Sequence, residues 1–417
     1  MASSVLYGGG AGMIRMAVDT AGRLRRNWRM DDQDRSNPTA RARDLKAAIA
    51  AASDTIEATR RLPEPLLARL HEARLFRMLL PRSAGGDQLD PVNCLLVIEE
   101  LSRHDASTGW VVFVANSSAL IAAYLEPVAA RAIYADPCST IAWGPPNAAR
   151  ANAVPGGYRI SGSWDFASGC RHASWMGAHG QVVEADGSIR CDARGKPIVR
   201  TLLFPAREAT ILDTWNTIGL CGTGSESYRV TDVFVPEAFS ATRADPTSRR
   251  EPGPLYAFTM PGLYAVGAAG VALGIAGAMF EAFVALAGTK APRNLSRLAD
   301  NAVVQAEVAR AEARLGAARA YLIETLASIY ARADDVEVIE VADRARVRLA
   351  CTNAIQGAIE VADYAYKAAG VDAIFPGSPF ERRFRDIHTL SQQIQSRTAH
   401  YEEVGQVLLG MPPEGFL

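Results

Sequence analysis

The chain has 417 residues, of which 49% are hydrophobic and 21% charged, and its formal net charge is −1. Single hydrophobic cores stop growing near roughly 250–300 residues, so two or three structural units are expected. The near-neutral charge lacks the basic excess of proteins that bind nucleic acid or anionic membranes, and we predict neither partner. Six scattered cysteines without a CxxC pair argue against a structural zinc or other metal site and favour a reduced, cytoplasmic location.

Two segments resemble targeting or membrane signals, and we predict that neither is one. Residues 1–40 lack apolar periodicity and are predicted to be a disordered tail, which a start of translation at Met30 would largely remove; a basic targeting arm is the alternative. Leu263–Phe280 carries no charge and approaches the length of a membrane span. Because Ala and Gly dominate it and glycines recur at helical spacing, we predict a core or interface helix.

The first structural unit is predicted to be a helical domain over residues 41–136. Apolar residues recur there at i, i+3 and i+4. Asp90-Pro91 supplies an N-cap and a first-turn proline for one helix. Asp105 or Ser107 is expected to cap the next helix, which is apolar and extends from Thr108 to Tyr124.

The second unit, residues 137–245, has the pattern of a small antiparallel β-barrel or sandwich. Short runs of β-branched and aromatic residues alternate here with Pro, Gly and Asp turns. The six predicted strands are Ser139–Trp143, Tyr158–Ser161, Trp175–Val183, Ile198–Phe204, Thr210–Leu212 and Tyr228–Val235.

The third unit, residues 246–417, is predicted to be a four-helix bundle. Long helical patterns return after Gly262 and are separated by turn residues. The four predicted helices are Leu263–Gly288, Asp300–Ala333, Glu337–Gly370 and Phe384–Gly410. The fold class is therefore α+β, with helices on both sides of a β domain.

Two motifs carry the functional prediction. The first extends from Gly156 through Gly162-Ser163-Trp164-Asp165-Phe166-Ala167-Ser168-Gly169 to His172 and Trp175; it starts with a tight turn between strands. A hydroxyl, a glycine and flat aromatic side chains in one segment suit a flat, hydrogen-bonding cofactor such as a flavin. The second motif is Arg382-Arg383-Phe384-Arg385-Asp386-Ile387-His388-Thr389. Histidine titrates close to neutral pH, which suits proton exchange.

This order of units resembles the acyl-CoA dehydrogenase superfamily from residue 41 to the end. Both motifs look like those of its two-component, flavin-dependent monooxygenase branch (group D), which includes p-hydroxyphenylacetate hydroxylase, steroid-ring hydroxylases and the dibenzothiophene and indole oxygenases. The resemblance implies an acyl-CoA dehydrogenase-like fold. It also implies an oxygenase component that uses reduced flavin and O₂, through a C4a-hydroperoxide, to hydroxylate or epoxidise a small phenolic or indolic compound.

The resemblance also implies roles for particular residues. His388 would be the acid/base group, and Ser168 would lie beside flavin N5. Main-chain or side-chain groups of the flavin set, given below, would bind the flavin, and Arg293 among them would bind its phosphate. Substrate would lie against one face of the helix after Asp105. The flavin set comprises Trp143, Gly144, Asn147, Phe166, Ser168, Gly169 and Arg293, and the substrate set comprises Trp110, Phe113, Asn116 and Ser117.

Several of these assignments have structural alternatives. Trp143 serves equally well as a core tryptophan, and a plain amphipathic core helix explains Trp110 and Phe113 equally well. His172 and His179 lie near the flavin strand, where histidines more often serve packing. The chain has no GxGxxG or P-loop spacing, so reduced flavin, FMN rather than FAD, is expected from a separate reductase. A homotetramer is the expected assembly.

Two other functions remain open at this stage. The first is an acyl-CoA dehydrogenase or oxidase. Thr389–Gln395 lacks the Tyr-Glu-Gly step that this parent family usually carries after its Arg-Asp pair, which counts against it. The second is a scaffold that has kept the fold and lost the cofactor. Failure to bind any flavin would distinguish it.

Overall fold

The computed structural model describes residues 37–193, 195–242, 246–334, 336–413 and 415, together with two short paired strands, β1 (Ala17–Val18) and β2 (Leu24–Arg25). Most of the segment predicted to be a tail, and Met30, lie outside these residues. The first helix begins at Pro38, inside that predicted segment.

The N-terminal region is helical, and its helix starts follow the capping residues of the sequence. Asp90 accepts a hydrogen bond from the Asn93 amide at 2.9 Å, and Asp105 accepts one from the Thr108 amide at 2.7 Å. Of the two candidate caps for the apolar helix, Asp105 is the one used. The helices are α1 (Pro38–Arg43), α2 (Lys46–Thr59), α3 (Glu64–Glu72), α4 (Pro91–His104), α5 (Ala106–Ala119) and α6 (Pro127–Tyr134).

The middle region forms one mixed sheet that does not close in the described chain, so the predicted antiparallel β-barrel is neither closed nor purely antiparallel. Strand order is β10-β7-β6-β4-β5-β9-β8, and β3 and β4 both pair in parallel with β6. The two end strands are only two and three residues long and do not pair with each other in the described chain. The strands are β3 (Ile141–Ala142), β4 (Arg150–Val154), β5 (Gly157–Ala167), β6 (Trp175–Val183), β7 (Val199–Pro205), β8 (Thr210–Leu212), β9 (Glu226–Pro236) and β10 (Ser240–Ala241).

The C-terminal region contains three long helices and two short ones. The predicted fourth helix is divided because a turn at Ile394–Ser396 supplies polar partners to the long helices: Gln395 accepts from the buried Arg348, and the Ser396 carbonyl accepts from Gln356 at 2.7 Å. Buried polar groups need such partners. The helices are α7 (Met260–Ala287), α8 (Ala302–Tyr330), α9 (Val341–Ala369), α10 (Glu381–Ser391) and α11 (His400–Leu408).

The N-terminal and C-terminal helices share one hydrophobic core. Two stretches in the described chain are long and apolar enough to cross a membrane, Ala106–Ala123 and Met260–Ala287, and 94% and 61% of their most apolar windows are buried. A Cβ on Gly267 would lie 2.3 Å from the Phe113 ring, and one on Gly274 would lie 2.5 Å from the Glu99 carbonyl oxygen. The glycines of α7 therefore allow close packing against α4 and α5.

Candidate active site

The end of β5 exposes an aromatic side chain and buries a hydroxyl. A bulge interrupts the pairing with β9 between Trp164 and Ala167, and Phe166 has a φ of +62°. Its ring is 62% exposed and meets Trp215 edge-on at 6.2 Å. Gly169 has a φ of +74°, which favours glycine, and the chain turns back so that Ser168 is only 6% exposed. We call Phe166–Gly169 the Ser168 turn.

A chain of hydroxyl groups begins at this turn. The Trp110 indole N–H donates to Ser168 Oγ at 3.1 Å. Ser168 Oγ lies 2.7 Å from Ser225 Oγ, which lies 2.7 Å from Thr223 Oγ1. Thr223 then donates to the Leu220 carbonyl at 2.8 Å. We call Ser168, Ser225 and Thr223 the hydroxyl chain.

A buried carboxylate holds the loop that carries the partly buried aromatic ring of Trp215. Glu226 accepts from Arg171 Nη2 at 2.7 Å and from the amides of Thr214 and Trp215 at 2.6 and 2.7 Å. Burial raises the pKa of Glu226, but the Arg171 hydrogen bond and the two amide bonds outweigh it, so the pKa is lowered. The fixed carboxylate therefore positions Trp215 beside Phe166.

Aromatic rings lead from the hydroxyl chain to α7. Trp110 meets Phe113 edge-on at 4.9 Å, and Phe113 meets Tyr264 in the same way at 4.8 Å. An apolar cavity lies farther along the same two helices, lined by Leu120, Tyr124, Leu255, Tyr256, Phe258, Met260 and Leu263. Two predicted substrate residues, Trp110 and Phe113, are therefore brought together with Ser168, and Tyr264 joins them.

The other two predicted substrate residues are engaged with the backbone. The Asn116 side-chain amide donates to the carbonyls of Leu75 and Val112, and its oxygen accepts from the Leu79 amide. Ser117 donates to the Phe113 carbonyl at 3.0 Å. These contacts use the whole Asn116 amide within the N-terminal helices.

The second motif forms a junction between three parts of the molecule. Arg382 binds Ser53 and Asp54 of α2, and Arg385 binds Glu57 of the same helix at 2.6 Å. Arg383 donates to the Arg103 carbonyl at 2.9 Å. Together with the contacts of Asp386 and His388 described next, these bonds define what we call the α10 junction.

Asp386 and His388 leave α10 in different directions. Two residues correspond to about 200° of helix rotation. Asp386 accepts from the Leu220 amide at 2.6 Å, next to the end of the hydroxyl chain. His388 Nε2 lies 2.9 Å from Asp363 of α9, and its side chain is 33% exposed. Asp386 therefore lies closer along the bonded network to Ser168 than His388 does.

Asp386 shares a small cavity with other ionisable groups. The cavity is about 10 Å³ in volume, room for about one water, and Asp105, Glu57 and Arg382 also line it. Burial, and secondarily the nearby Asp105, raise the pKa of Asp386 to about 7, although the bond from Leu220 opposes the shift. Burial also raises the pKa of Asp105.

The remaining predicted flavin residues lie in two places. Gly144 approaches β5 so closely that a Cβ would lie 2.1 Å from the Asp165 carbonyl oxygen, and Asn147 donates to the Ser163 carbonyl at 2.8 Å. Trp143 packs edge-on against His179 at 5.4 Å. Arg293 is exposed in the loop between α7 and α8, away from these strands in the sequence.

The two histidines near the flavin strand make structural contacts. His172 Nε2 accepts from the Leu62 amide at 3.0 Å, and burial is the main cause that lowers the pKa of His172 to about 4. His179 is fully buried, and its Nδ1 lies 2.9 Å from Thr201 Oγ1. These contacts agree with a packing role.

Sequence reasoning missed Ser225, Thr223, Tyr264 and Asp386. The run Cys221-Gly222-Thr223-Gly224-Ser225 between two strands carried a signal, since glycines and hydroxyls together mark a turn that orders polar groups. Asp386 belonged to the second motif, but His388 was chosen over it. The direction of each side chain depends on how α10 packs.

Two domain families match the chain. Residues 36–127 match the acyl-CoA dehydrogenase N-terminal domain, and residues 266–397 match the acyl-CoA dehydrogenase C-terminal domain. These two matches cover the N-terminal helices and most of the C-terminal helices.

Proteins of known function resemble the chain along most of its length. The indole-3-acetate monooxygenase of Pseudomonas putida is 31% identical over 347 residues, which are 81% of this chain and 85% of that protein. The oxygenase component of an FADH(2)-dependent resorcinol hydroxylase from Rhizobium sp. (strain MTP-10005) is 30% identical over 377 residues, 86% and 90% of the two chains. XiaF from Streptomyces sp., solved with FADH2 and glycerol, superposes with a TM-score of 0.83 at 26% identity, covering 92% of this chain and 97% of XiaF.

Proposed function

Because this chain belongs to the flavin-dependent monooxygenases of the acyl-CoA dehydrogenase superfamily, we propose that it is the oxygenase component of a two-component system. It takes reduced flavin from a separate reductase and hydroxylates or epoxidises a small aromatic compound with O₂. The family membership confirms the resemblance drawn from the two motifs. It favours oxygenation over thioester dehydrogenation.

The Ser168 turn suits a flavin. Ser168 Oγ already accepts one hydrogen bond and has a second lone pair, so it can accept a donor from a planar ligand edge. The exposed Phe166 ring and the partly buried Trp215 ring offer aromatic surface beside it. Gly144 lets its segment pack closely against β5, and the positive φ of Gly169 turns the chain after Ser168. When bound, the reduced flavin supplies the two electrons and the reactive carbon that activate O₂.

FMN is the flavin predicted from the sequence, whereas two of the relatives point to FAD. The resorcinol hydroxylase component is named as FADH(2)-dependent, and XiaF was solved with FADH2. We therefore propose FAD as the first flavin to test and FMN as the second. Arg293, on an exposed loop, remains the proposed phosphate ligand.

His388 remains the proposed acid/base residue. The Asp363 carboxylate at 2.9 Å from Nε2 fixes the orientation of the ring, so proton exchange with a ligand would use Nδ1. The partial exposure of the side chain supports access from outside the helix packing. Asp363 would then be a positioning residue.

For the substrate, we propose a phenolic or indolic compound bound against Trp110, Phe113 and Tyr264. The three rings offer apolar surface, and a small apolar cavity of about 10 Å³ lies beyond Leu120. Relatives named for indole-3-acetate and resorcinol support this class. Asn116 and Ser117 are proposed to fix the backbone of α5 behind these rings, and so to position the rings without contacting the substrate.

We also propose that the protein is a homotetramer and that it lies in the cytoplasm. The boundaries between its helical, β and helical units are proposed to lie near residues 136 and 245. Exposed apolar side chains at Val371, Ile374 and Phe375 support subunit contacts. All six cysteines are free, which agrees with a reducing compartment. Light scattering after size-exclusion chromatography tests the assembly.

The Ser168 turn, with its buried acceptor beside the exposed Phe166 ring, is the observation that carries the proposed function. The decisive experiment mixes the protein with reduced FAD or FMN anaerobically, then adds O₂ and indole-3-acetate or resorcinol. We expect ¹⁸O from ¹⁸O₂ in the product and a transient absorbance unlike that of free flavin. Flavin that reoxidises at the rate in free solution, with peroxide as the sole oxygen product, would refute the proposal. Reduction of bound flavin by an acyl-CoA thioester would support the dehydrogenase alternative.

A further inference from the structure

We infer that Thr223 and Ser225 are positioning residues that make the site select reduced over oxidised flavin, by fixing the direction of the Ser168 hydroxyl. The inference rests on the proposed function, in which flavin N5 lies beside Ser168. It concerns residues that no motif singled out, and the hydrogen bonds of the hydroxyl chain carry it.

The direction of every hydrogen bond in the chain follows from its last acceptor. The Leu220 carbonyl can only accept, so the Thr223 hydroxyl is the donor in their 2.8 Å contact; the same carbonyl also accepts from the Trp215 indole N–H at 3.0 Å. A hydroxyl has one proton, so the 2.7 Å contact between Thr223 and Ser225 requires Ser225 to donate. The same step makes Ser168 donate to Ser225 at 2.7 Å.

Trp110 adds a second constraint on Ser168. Its indole N–H is a donor without an acceptor function, so it occupies one Ser168 lone pair. With its proton directed at Ser225, Ser168 offers a ligand one remaining lone pair and no proton. The site thus presents an acceptor.

The two redox states of flavin differ in what N5 requires. Reduced flavin carries a hydrogen on N5 and donates, whereas oxidised flavin has a bare N5 that accepts. To donate to oxidised N5, Ser168 must turn its proton away from Ser225. The three hydroxyls then have only two protons left for the three bonds of the chain, so one of these bonds is lost whichever way the other hydroxyls turn. Thr223, Ser225 and Ser168 are 1%, 5% and 6% exposed, so water does not replace the lost bond.

Removing the end of the chain releases this constraint. In Thr223→Val, Ser225 is free to donate to Ser168, and Ser168 can then donate to the ligand. In Ser225→Ala, Ser168 loses its acceptor and is again free to donate. Both variants should bind oxidised flavin more tightly, whereas reduced flavin should be affected less.

The experiment measures dissociation constants of oxidised FAD and of dithionite-reduced FAD under anaerobic conditions, for the wild type and each variant, with FMN in parallel. We expect the ratio of oxidised to reduced dissociation constants to fall roughly 2- to 10-fold in both variants, the worth of about one net hydrogen bond. Thr223→Ser keeps the hydroxyl and should keep the wild-type ratio. Ser227→Ala is the matched control on β9, since that hydroxyl donates to Asp165 outside the chain.

The outcomes separate this inference from the proposed function. Folded variants that bind both redox states with the wild-type ratio would overturn the inference and leave the flavin site standing. A Thr223→Ser variant that behaves like Thr223→Val would overturn it as well, because the hydroxyl would not be the cause. Wild-type protein that binds neither redox state would overturn the proposed function, and the inference with it. If Thr223→Val fails to fold, Ser225→Ala decides.

Discussion

The Ser168 turn and the α10 junction began as two equal parts of one predicted site, and the structure gives them different characters. At the turn, hydrogen bonds converge on a buried hydroxyl that keeps one lone pair for a ligand. At the junction, Arg382 binds α2, Asp386 binds the β8–β9 loop and His388 binds α9. The second motif therefore holds elements together, whereas the first is the part of the predicted site that leaves an acceptor open for the proposed flavin. The predictions below test this distinction.

The largest expected effect comes from the carboxylate that supports the turn. Glu226→Gln keeps the size of the side chain but leaves Arg171 with only the exposed Asp213 as its charged partner, and it turns an amide NH2 group toward either Arg171 or the two backbone N–H donors. Breaking a buried pair costs about 3 kcal/mol or more. We expect a clearly lower melting temperature and weaker flavin binding, measured by calorimetry and titration. Glu208→Gln, on an exposed turn, is the control; equal effects of the two variants would contradict the role of Glu226.

The next effect decides whether the α10 junction takes part in chemistry. A general acid/base contributes roughly 100-fold or more, so His388→Ala should lower product formation by about that factor while flavin oxidation continues. Asp363→Asn should have a smaller effect in the same direction, since it only orients the ring. Thr389→Ala, at the adjacent position, should change little. Product yield at the wild-type level with a lowered melting temperature would make His388 a structural residue.

A smaller effect is expected at the turn itself. Ser168→Ala removes the acceptor for a ligand N–H and leaves the Trp110 indole without its partner. Loss of a hydrogen bond to a buried group costs about 1–3 kcal/mol, so we expect reduced flavin to bind roughly tenfold more weakly or weaker still. We also expect more hydrogen peroxide to form for each molecule of hydroxylated product. Ser163→Ala, on the same strand, is the control. Unchanged binding in the Ser168 variant would place the flavin elsewhere.

The two regions also show what the sequence can and cannot predict. Most strands and caps followed from local pattern, as at Asp90 and Asp105. Strand β4 (Arg150–Val154) was missed because it has little β-branched character and is fixed by its neighbours β5 and β6. The break before α11 depends on the distant Arg348. Local sequence does not encode such partners.

The candidate site follows the same division. Ser168 could be singled out from its motif, and its position at the end of β5 depends on chain neighbours, the bulge before it and Gly169 after it. Ser225 and Thr223 were not, since they reach Ser168 only when β9 pairs with β5. His388 and Asp386 are two positions apart on α10. Which of the two is directed toward the hydroxyl chain depends on the elements that pack against each face of the helix. Sequence pattern identifies the helix and leaves that choice to tertiary packing.

The last effect, the smallest for each single step of the measurement, is a pH dependence at the α10 junction. Burial raises the pKa of Asp386 to about 7, whereas an unfolded aspartate titrates near 4. Between these values the native state holds more protons than the unfolded state, so the free energy of unfolding falls as pH rises from about 4 to 7, by up to about 1 kcal/mol per pH unit. Asp386→Asn has no proton to lose, and its carbonyl oxygen can still accept from Leu220, so this component of the pH dependence should vanish.

Denaturant unfolding at several pH values between 4 and 7 measures the difference between the variant and the wild type. The stability of Asp386→Asn relative to the wild type should increase steadily across that range, because the wild type alone must ionise a carboxyl group beside Asp105. Asp54→Asn, an exposed partner of Arg382 at the same junction, should follow the wild-type profile. Parallel profiles of Asp386→Asn and the wild type would mean that Asp386 is already ionised in the folded protein near pH 4. The junction would then bind Leu220 with a full negative charge, as Glu226 binds the amides beneath the Ser168 turn.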